Sequence, residues 1–147
     1  VGRGAARELQ SRGYRLQALV EQERTARLAT TRIVPPGEEG GGLVVDLLFA
    51  SSGVEAEVVA AAEPLEVLPG LRVPVEQIGH LIALKLLARD DRTRPQDRVD
   101  LVALLTAARA TDLAQARQTG RLIQERGFAR ARDLVAGLET MLRELAG

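Results

Sequence analysis

The first half of the chain carries its apolar residues in short stretches, as β-strands do. β-branched and apolar residues recur in residues 15–20 and 25–34, and residues 43–50 form a nearly continuous apolar run with a single charge, Asp46. Such a run is typical of a strand covered on both faces, so we expect it to be central in its sheet. A short helix is predicted over residues 5–11, where good helix formers are followed by a glycine.

The connections in this half also carry recognisable patterns. Residues 35–42 are rich in glycine, but they lead into a strand and lack the Lys-Ser or Lys-Thr of a phosphate-binding loop. They therefore favour a hairpin loop. Residues 54–62 predict a helix on the sheet, and residues 65–75, interrupted by Pro69-Gly70, predict a small hairpin with a short strand on each side.

From about residue 75 onward the apolar positions recur with helical spacing. Breaks in the pattern divide it into helices near residues 76–89, 95–109, 112–126 and 130–145. The chain therefore predicts an α+β fold, in which a mixed β-sheet with flanking helices is followed by a C-terminal helical bundle. We assign residues 1–75 to the first part and residues 76–147 to the helical part, packed on it as one compact unit.

Composition and charge narrow the class of protein. The 147 residues are 46% hydrophobic and 27% charged, as in ordinary globular domains. Twenty basic and twenty acidic side chains cancel, so we expect no strong nonspecific DNA binding. No stretch approaches the roughly 20 apolar residues of a membrane helix, which predicts a cytoplasmic protein without membrane contact. With no Cys and one His, thiolate metal sites and cysteine nucleophiles are excluded, and a metal would bind to oxygen atoms.

Lys85 is the only lysine of the chain and lies within the apolar helical segment 81–88. Its neighbours three and four positions away are apolar or basic, so no carboxylate of its own helix can neutralise it. An unpaired ammonium in such surroundings is unfavourable by on the order of several kcal/mol, or its pKa falls. The partner must therefore come from another element or from a ligand, unless the side chain extends past its neighbours to water.

The next predicted helix offers acidic partners. Thr93 and Gln96 fit a capping box, which places Asp97 and Asp100 in the first two turns, where helix polarity stabilises negative charge. Both positions continue the apolar stripe of this helix backwards, so we expect both carboxylates on its buried face. In the alternative interpretation, Asp97 only completes the helix N-terminus and Asp100 pairs with a neighbouring arginine.

Two further residues stand out by their surroundings. A carboxylate in the middle of an apolar strand, as at Asp46, is unfavourable without a partner. A metal ion or a reacting hydroxyl would serve as that partner, and so would an ordinary arginine neighbour. His80 precedes the apolar helical segment without any nucleophile signature, so we expect a surface or boundary histidine with no catalytic role.

In order and spacing, these residues resemble the AbiEii-type nucleotidyltransferases, which are toxins and toxin-like proteins of the polymerase-beta-like nucleotidyltransferase superfamily. The resemblance covers roughly residues 27–105. It rests on the strand carboxylate Asp46, on Lys85 in an apolar helix, and on the segment Arg-Thr-Arg-Pro-Gln-Asp-Arg-Val-Asp-Leu at residues 92–101. It implies that the α+β fold is nucleotidyltransferase-like.

The resemblance also implies an activity, namely transfer of a nucleoside monophosphate from a nucleoside triphosphate to an acceptor hydroxyl, with Mg²⁺ as cofactor. Asp46 then corresponds to the catalytic carboxylate that helps to hold the metal and activates the acceptor. Lys85 and Asp100 are the other implied catalytic residues, and with Asp97 and Arg92 they line the nucleotide. The implied partners are the nucleotide, an antitoxin and an acceptor, but no motif decides between tRNA, protein and a small molecule as acceptor.

The sequence departs from the family where the metals would bind. Members carry a Gly-Ser turn and an Asp-x-Asp or Asp-x-Glu pair before the carboxylate that Asp46 matches. Here Glu21-Gln22-Glu23 has the spacing of the pair, but no Gly-Ser turn precedes it. One carboxylate out of three cannot form a two-metal site. Either the chain is truncated at its N-terminus, or the protein keeps the fold without the catalysis.

The second possibility defines an alternative function, a catalytically inactive interaction module. In that interpretation Lys85, Asp97 and Asp100 form an internal ion network. The arginine-rich helices near the C-terminus would then face a partner, with these candidate residues: Arg117, Arg121, Arg130 and Arg132. Because acidic residues are interspersed among them and the net charge is zero, an ordinary solvated helix face is the favoured interpretation of these arginines.

Overall fold

The computed structural model describes residues 2–22, 27–38, 40, 42–90 and 94–147. It consists of two compact units, Val1–Ser51 and Ser52–Gly147. Each unit combines at least one helix with antiparallel strands, which confirms the predicted α+β class. The predicted division at residue 75, between a nucleotidyltransferase-like part and a helical part, stays a prediction.

The first unit is a small antiparallel sheet with one helix. Its elements are α1 (Gly2–Ser11), β1 (Arg15–Gln22), β2 (Arg27–Val34) and β3 (Val45–Leu48). Just beyond the end of α1, after Arg12, Gly13 takes a φ of 88°, a conformation that glycine adopts without strain, so the predicted helix end is confirmed. The two hairpins give the sheet order β1-β2-β3, with the glycine-rich loop between β2 and β3 as predicted.

The prediction that residues 43–50 form the central strand is wrong. In the part of the chain that the structure describes, β2 is the middle strand, and β3 pairs with β2 alone. The buried side chains belong to β2, including Thr31 and Ile33, whereas Asp46 and Leu48 share an open face of β3 and Leu48 is 81% exposed. The apolar run therefore predicted the strand correctly, but it did not predict the place of the strand in the sheet.

The second unit starts with a helix and a hairpin, followed by four helices. Its elements are α2 (Glu55–Ala60), β4 (Glu63–Leu68), β5 (Leu71–Val75), α3 (Ile78–Ala88), α4 (Gln96–Ala107), α5 (Ala110–Glu125) and α6 (Leu134–Ala146). The predicted hairpin and all four predicted helices are confirmed, with boundaries that shift by a few residues. Gly70 forms the hairpin turn with a φ of 78°.

The core of the second unit lies between its helices, with α3 in the middle. Ile82 of α3 and Leu101 of α4 are fully buried, as are Ile123 of α5 and Leu138 of α6 to within a few per cent. Helices α3 and α5 lie close together at Gly79, where a Cβ atom would lie 2.5 Å from the backbone oxygen of Asp112. The core fixes one face of α3, and the helix therefore holds its polar residues at set positions.

None of the helices in the described ranges combines the length and apolar character that a membrane span requires.

Candidate functional site

The predicted site residues of the second unit meet where α3 ends and α4 begins. Nζ of Lys85, in the last turn of α3, donates a hydrogen bond to Oδ2 of Asp100 in α4 at 2.8 Å. The lysine side chain is 31% exposed and the aspartate side chain 38%. The partner of this lysine is therefore a carboxylate of another element, and the pair keeps access to solvent.

A second hydrogen bond fixes the carboxylate of this pair. Nε2 of Gln96, one turn earlier in α4, donates to Oδ1 of Asp100 at 2.9 Å. The hydrogen bond from Lys85 lowers the pKa of Asp100 most, and the bond from Gln96 lowers it further. Asp100 is thus ionised at neutral pH and holds the ammonium group in place. Gln96 was not among the predicted site residues, although its position one turn before Asp100 could have suggested the contact.

Asp97 has a different partner. Its side chain is 17% exposed, and Oδ2 lies 3.4 Å from Nε of Arg94 without a hydrogen bond to any described residue. Arg94 itself donates a hydrogen bond to the backbone oxygen of Ala88 at 2.8 Å, at the end of α3. The alternative interpretation gave an arginine partner to Asp100 and not to Asp97, but Asp100 binds Lys85 and the arginine lies beside Asp97. The role of Asp97 in lining a nucleotide stays a prediction.

The segment before α4 is only partly described. Arg92, predicted to line the nucleotide, and Thr93, predicted as the N-cap, lie outside the described residues. Helix α4 begins at Gln96, after Pro95 in the N-cap position. Two described hydrogen bonds span this segment, one from the backbone nitrogen of Arg94 to the oxygen of Asp90 and one from the Arg94 guanidinium to the oxygen of Ala88.

Asp46, the predicted metal ligand, belongs to the first unit. Its partner is Arg32, which stands directly opposite it in the β2–β3 register and donates to both carboxylate oxygens at 2.7 Å. These hydrogen bonds lower the pKa of Asp46 more than partial burial raises it. Sequence patterns did not single out Arg32, because its position opposite Asp46 depends on the strand register. The implied joint catalytic role of Asp46, Lys85 and Asp100 stays a prediction.

The described residues do not fit a magnesium site. Among the described residues, no three Asp, Glu, His or Cys side chains come together as metal ligands. Both oxygens of Asp46 bind the Arg32 guanidinium, so a metal ion there would have to displace a bidentate cation. A Mg²⁺ ion needs several oxygen ligands in near-octahedral geometry, which this pair does not offer.

The prediction that His80 is a surface or boundary residue is wrong. It lies in the first turn of α3, where it is only 6% exposed. Burial lowers the pKa of His80, and the nearby charge of Glu57 raises it by less. A single polar residue before an apolar run does not reveal which face of the helix it occupies, so the sequence pattern could not place it.

Two of the four arginines that were predicted to face a partner bond to other parts of the protein. Arg117 pairs with Glu139 at 2.6 Å, and Arg132 donates to the backbone oxygens of Leu87 and Arg89. Arg121 and Arg130 are exposed. Their role in binding a partner stays a prediction.

Comparison with known proteins connects this α+β architecture to a family. The model of the family described as nucleotidyl transferase AbiEii toxin, type IV toxin–antitoxin system, matches residues 3–145. The match covers nearly the whole chain, and the chain therefore belongs to this family. No curated protein matches the sequence. The family assignment confirms the resemblance drawn from Asp46, Lys85 and residues 92–101, and it makes the protein a nucleotidyltransferase-type toxin of a toxin–antitoxin system.

Proposed function

We propose that the corner between α3 and α4 binds a nucleoside triphosphate, and that the protein transfers a nucleoside monophosphate from it to an acceptor hydroxyl. The observation that carries this proposal is the partly exposed Lys85–Asp100 pair. A lysine ammonium is a compact point charge that suits a triphosphate. Asp100 binds the ammonium group of Lys85 directly, and Gln96 in turn fixes Asp100, while the lysine keeps its access to solvent.

In this proposal Lys85 binds the phosphates and Asp100 positions the lysine. Asp97 and Arg92 line the nucleotide, and Asp46 serves the acceptor side. Because the described residues do not form a metal site, we assign no step to a metal ion. Transfer requires the metal-binding motif that family members carry, and the nucleotide-binding part of the proposal does not depend on it.

The test is isothermal titration calorimetry with ATP, GTP, CTP and UTP, each with and without Mg²⁺. We expect Lys85→Met to weaken binding of the preferred nucleotide by at least about tenfold, since a charge-assisted contact is lost. Arg121→Met is the matched control, because it removes an exposed positive charge from α5. Thermal unfolding of each variant verifies the fold. No heat with any nucleotide for the wild-type chain would contradict the proposal.

The second candidate is the inactive interaction module. One observation favours it: in the described residues, Lys85 and Asp46 each already have a protein partner of opposite charge. Because both pairs are partly exposed to solvent, each contributes little to stability. A folded Lys85→Met protein of equal or greater stability, together with silent nucleotide assays for the wild type, would favour this function over transfer.

For either function we propose an antitoxin protein as partner and the cytoplasm as location. Family membership supports the antitoxin, because AbiEii toxins belong to toxin–antitoxin systems. Co-expression with the protein encoded beside this chain, followed by co-purification, tests the partnership. The acceptor is tested by incubating the protein with labelled nucleotide and either tRNA or protein, and following transfer of the label.

A further inference from the structure

The β4–β5 hairpin of the second unit exposes an apolar face. Its strands pair so that Leu65 stands opposite Val73 and Leu68 stands opposite Leu71. Because side chains alternate along a strand, these four residues share one face of the hairpin with Val75, and we call the five together the hairpin face. The three leucines are 56%, 62% and 48% exposed in chain order. A contiguous exposed apolar patch is typical of a surface that binds another molecule.

The outer edges of the hairpin are poor templates for a further strand. Pro64 stands opposite Pro74, and since proline has no backbone N–H, this pair gives neither edge a donor. In the described residues, no third strand pairs with β4 or β5. A partner is therefore better accommodated on the hairpin face than along an edge, and the face of a sheet is where a helix packs.

A cleft of about 450 Å³ continues the hairpin face at its base. Leu65 and Val75 contribute to its wall, and the first turns of α3 and α5 border it. The charged residues that line it are Glu63, Glu76, Arg109 and Asp112. Glu76 lies just before α3, whereas Lys85 lies in the last turn of α3. The cleft is therefore separate from the proposed nucleotide site.

The cleft has negative charge without a positive partner. Arg109 donates to Oδ2 of Asp112 from its backbone nitrogen at 2.9 Å and from Nε at 3.3 Å, so these two charges compensate each other. Glu63 is exposed and accepts a hydrogen bond only from the neutral amide of Gln77, among the described residues. Burial raises the pKa of Glu76, and no described donor or cation lowers it. The oxygen atoms of Glu76 nevertheless keep access to solvent.

We propose that the hairpin face and this cleft together bind an amphipathic helix of a partner protein, with an arginine of that helix in the cleft. The guanidinium supplies the missing positive charge to Glu63 and Glu76, and its planar donors match carboxylate geometry. Apolar side chains of the helix cover the exposed leucines of the hairpin face. The six residues of β4 span about 20 Å, which is the length of about 13 helical residues.

A second copy of the chain fits this surface less well. The hairpin face carries no basic side chain, because Arg72 stands opposite Glu66 on the other face of the hairpin. Two hairpins stacked face to face would therefore bring no cation to Glu63 or Glu76. The same two carboxylates repel nucleic acid and anionic lipid head groups. The charge of the cleft thus favours a basic protein segment.

The test is fluorescence anisotropy with a labelled helical peptide of about 16 residues, which carries leucines three and four positions apart and one arginine in its last turn. We expect saturable binding to the full chain, with a dissociation constant on the order of 10 μM. A second peptide has glutamine in place of the arginine. It should bind about tenfold more weakly, because a charge-assisted contact is lost.

Protein variants separate this contact from effects on the fold, which thermal unfolding verifies. Glu76→Gln should weaken the arginine peptide about tenfold and leave the glutamine peptide unchanged, since both changes remove the same contact. Leu68→Ser, at an exposed position, should weaken both peptides about tenfold. Val59→Ser and Glu125→Gln are the matched controls at exposed positions of α2 and α5, and both should bind as the wild type does.

The proposal is overturned if the folded wild type does not bind the arginine peptide with saturation, or if it binds both peptides equally. It is also overturned if Leu68→Ser binds both peptides as the wild type does. A wild-type dimer in analytical ultracentrifugation that Leu68→Ser dissociates would likewise contradict it, because a second copy would then cover the hairpin face. None of these outcomes depends on nucleotide binding at the α3–α4 corner.

Discussion

Each unit of the molecule contains an aspartate in an unusual sequence position. The two aspartates are held by different kinds of partner. In the first unit, Asp46 receives both donors of the planar Arg32 guanidinium across two strands. In the second, Asp100 receives one hydrogen bond from Lys85 and one from Gln96. The arginine pair uses both carboxylate oxygens for one cation, whereas the lysine pair joins two helices through a single contact. The second arrangement can exchange its carboxylate for a phosphate more readily.

A charged residue in an apolar run indicates that a partner is present but not what kind of partner it is. Asp46 and Lys85 are equally unusual in sequence, and both alternatives were open for each. The strand register supplies Asp46 with an arginine, and the packing of α3 against α4 supplies Lys85 with an aspartate. The strand register that positions the first pair and the helix packing that positions the second can be tested separately.

The largest effect on stability is expected from a substitution in the core that holds α3. Ile82 is fully buried between the helices of the second unit. Ile82→Ala should reduce the free energy of unfolding by about 2–5 kcal/mol, because it removes apolar contacts and leaves a cavity. Urea denaturation followed by circular dichroism measures the change. Val99→Ala, at a position that is 60% exposed on α4, is the control and should stay within about 0.5 kcal/mol. Equal effects of the two substitutions would contradict this account of how α3 is held.

An intermediate effect on stability is expected when the pH is lowered. The pKa values of Asp46 and Asp100 both lie below their usual range, because Arg32 and Lys85 donate hydrogen bonds to the ionised carboxylates. A lowered pKa in the folded state contributes stability that is present above the unfolded-state pKa and lost as pH falls through the folded-state value. The stability of the wild type should therefore decline below about pH 4.

Denaturation midpoints measured between pH 6 and 2 provide the test. Asp46→Asn and Asp100→Asn should each have a shallower decline than the wild type, because the substituted group no longer titrates. A variant whose midpoint follows the wild-type curve in parallel at every pH would show that its aspartate is not the titrating group.

The smallest effect is expected from the exposed arginine pair. Arg32→Gln leaves Asp46 in contact with solvent, and exposed ion pairs contribute little to stability. We expect a small decrease in the denaturation midpoint, and addition of about 1 M NaCl should reduce the difference from the wild type because salt screens the pair. A decrease as large as that caused by Ile82→Ala would mean that this pair, and not the sheet register, holds β3 in place.

Local patterns predicted most elements of the fold. Helical spacing located α3 to α6, and Pro69-Gly70 located the β4–β5 hairpin, because these signals act over a few residues. The place of β3 in its sheet was missed, since an apolar run does not specify how many strands will pair with it. The burial of His80 was missed for a similar reason: it depends on α2 and α5, which lie far from it in sequence.

The site was only partly accessible from sequence. The surroundings of Lys85 required a partner from another element, and the apolar stripe of α4 pointed to Asp100 as a candidate. The partner of Asp46 could not be chosen in advance, because it depends on which residue of β2 stands opposite. The apolar face of the β4–β5 hairpin could not be chosen in advance either, because the strand register decides which side chains share a face.

In the proposed site, Lys85 binds the phosphates of a nucleotide. The most direct measurement is the dissociation constant of the preferred nucleoside triphosphate for the wild type, Lys85→Arg and Lys85→Met. Arginine keeps the charge but changes its geometry, so we expect intermediate affinity for Lys85→Arg and the weakest binding for Lys85→Met. If the wild type binds a nucleotide and all three dissociation constants agree within twofold, the nucleotide site lies elsewhere.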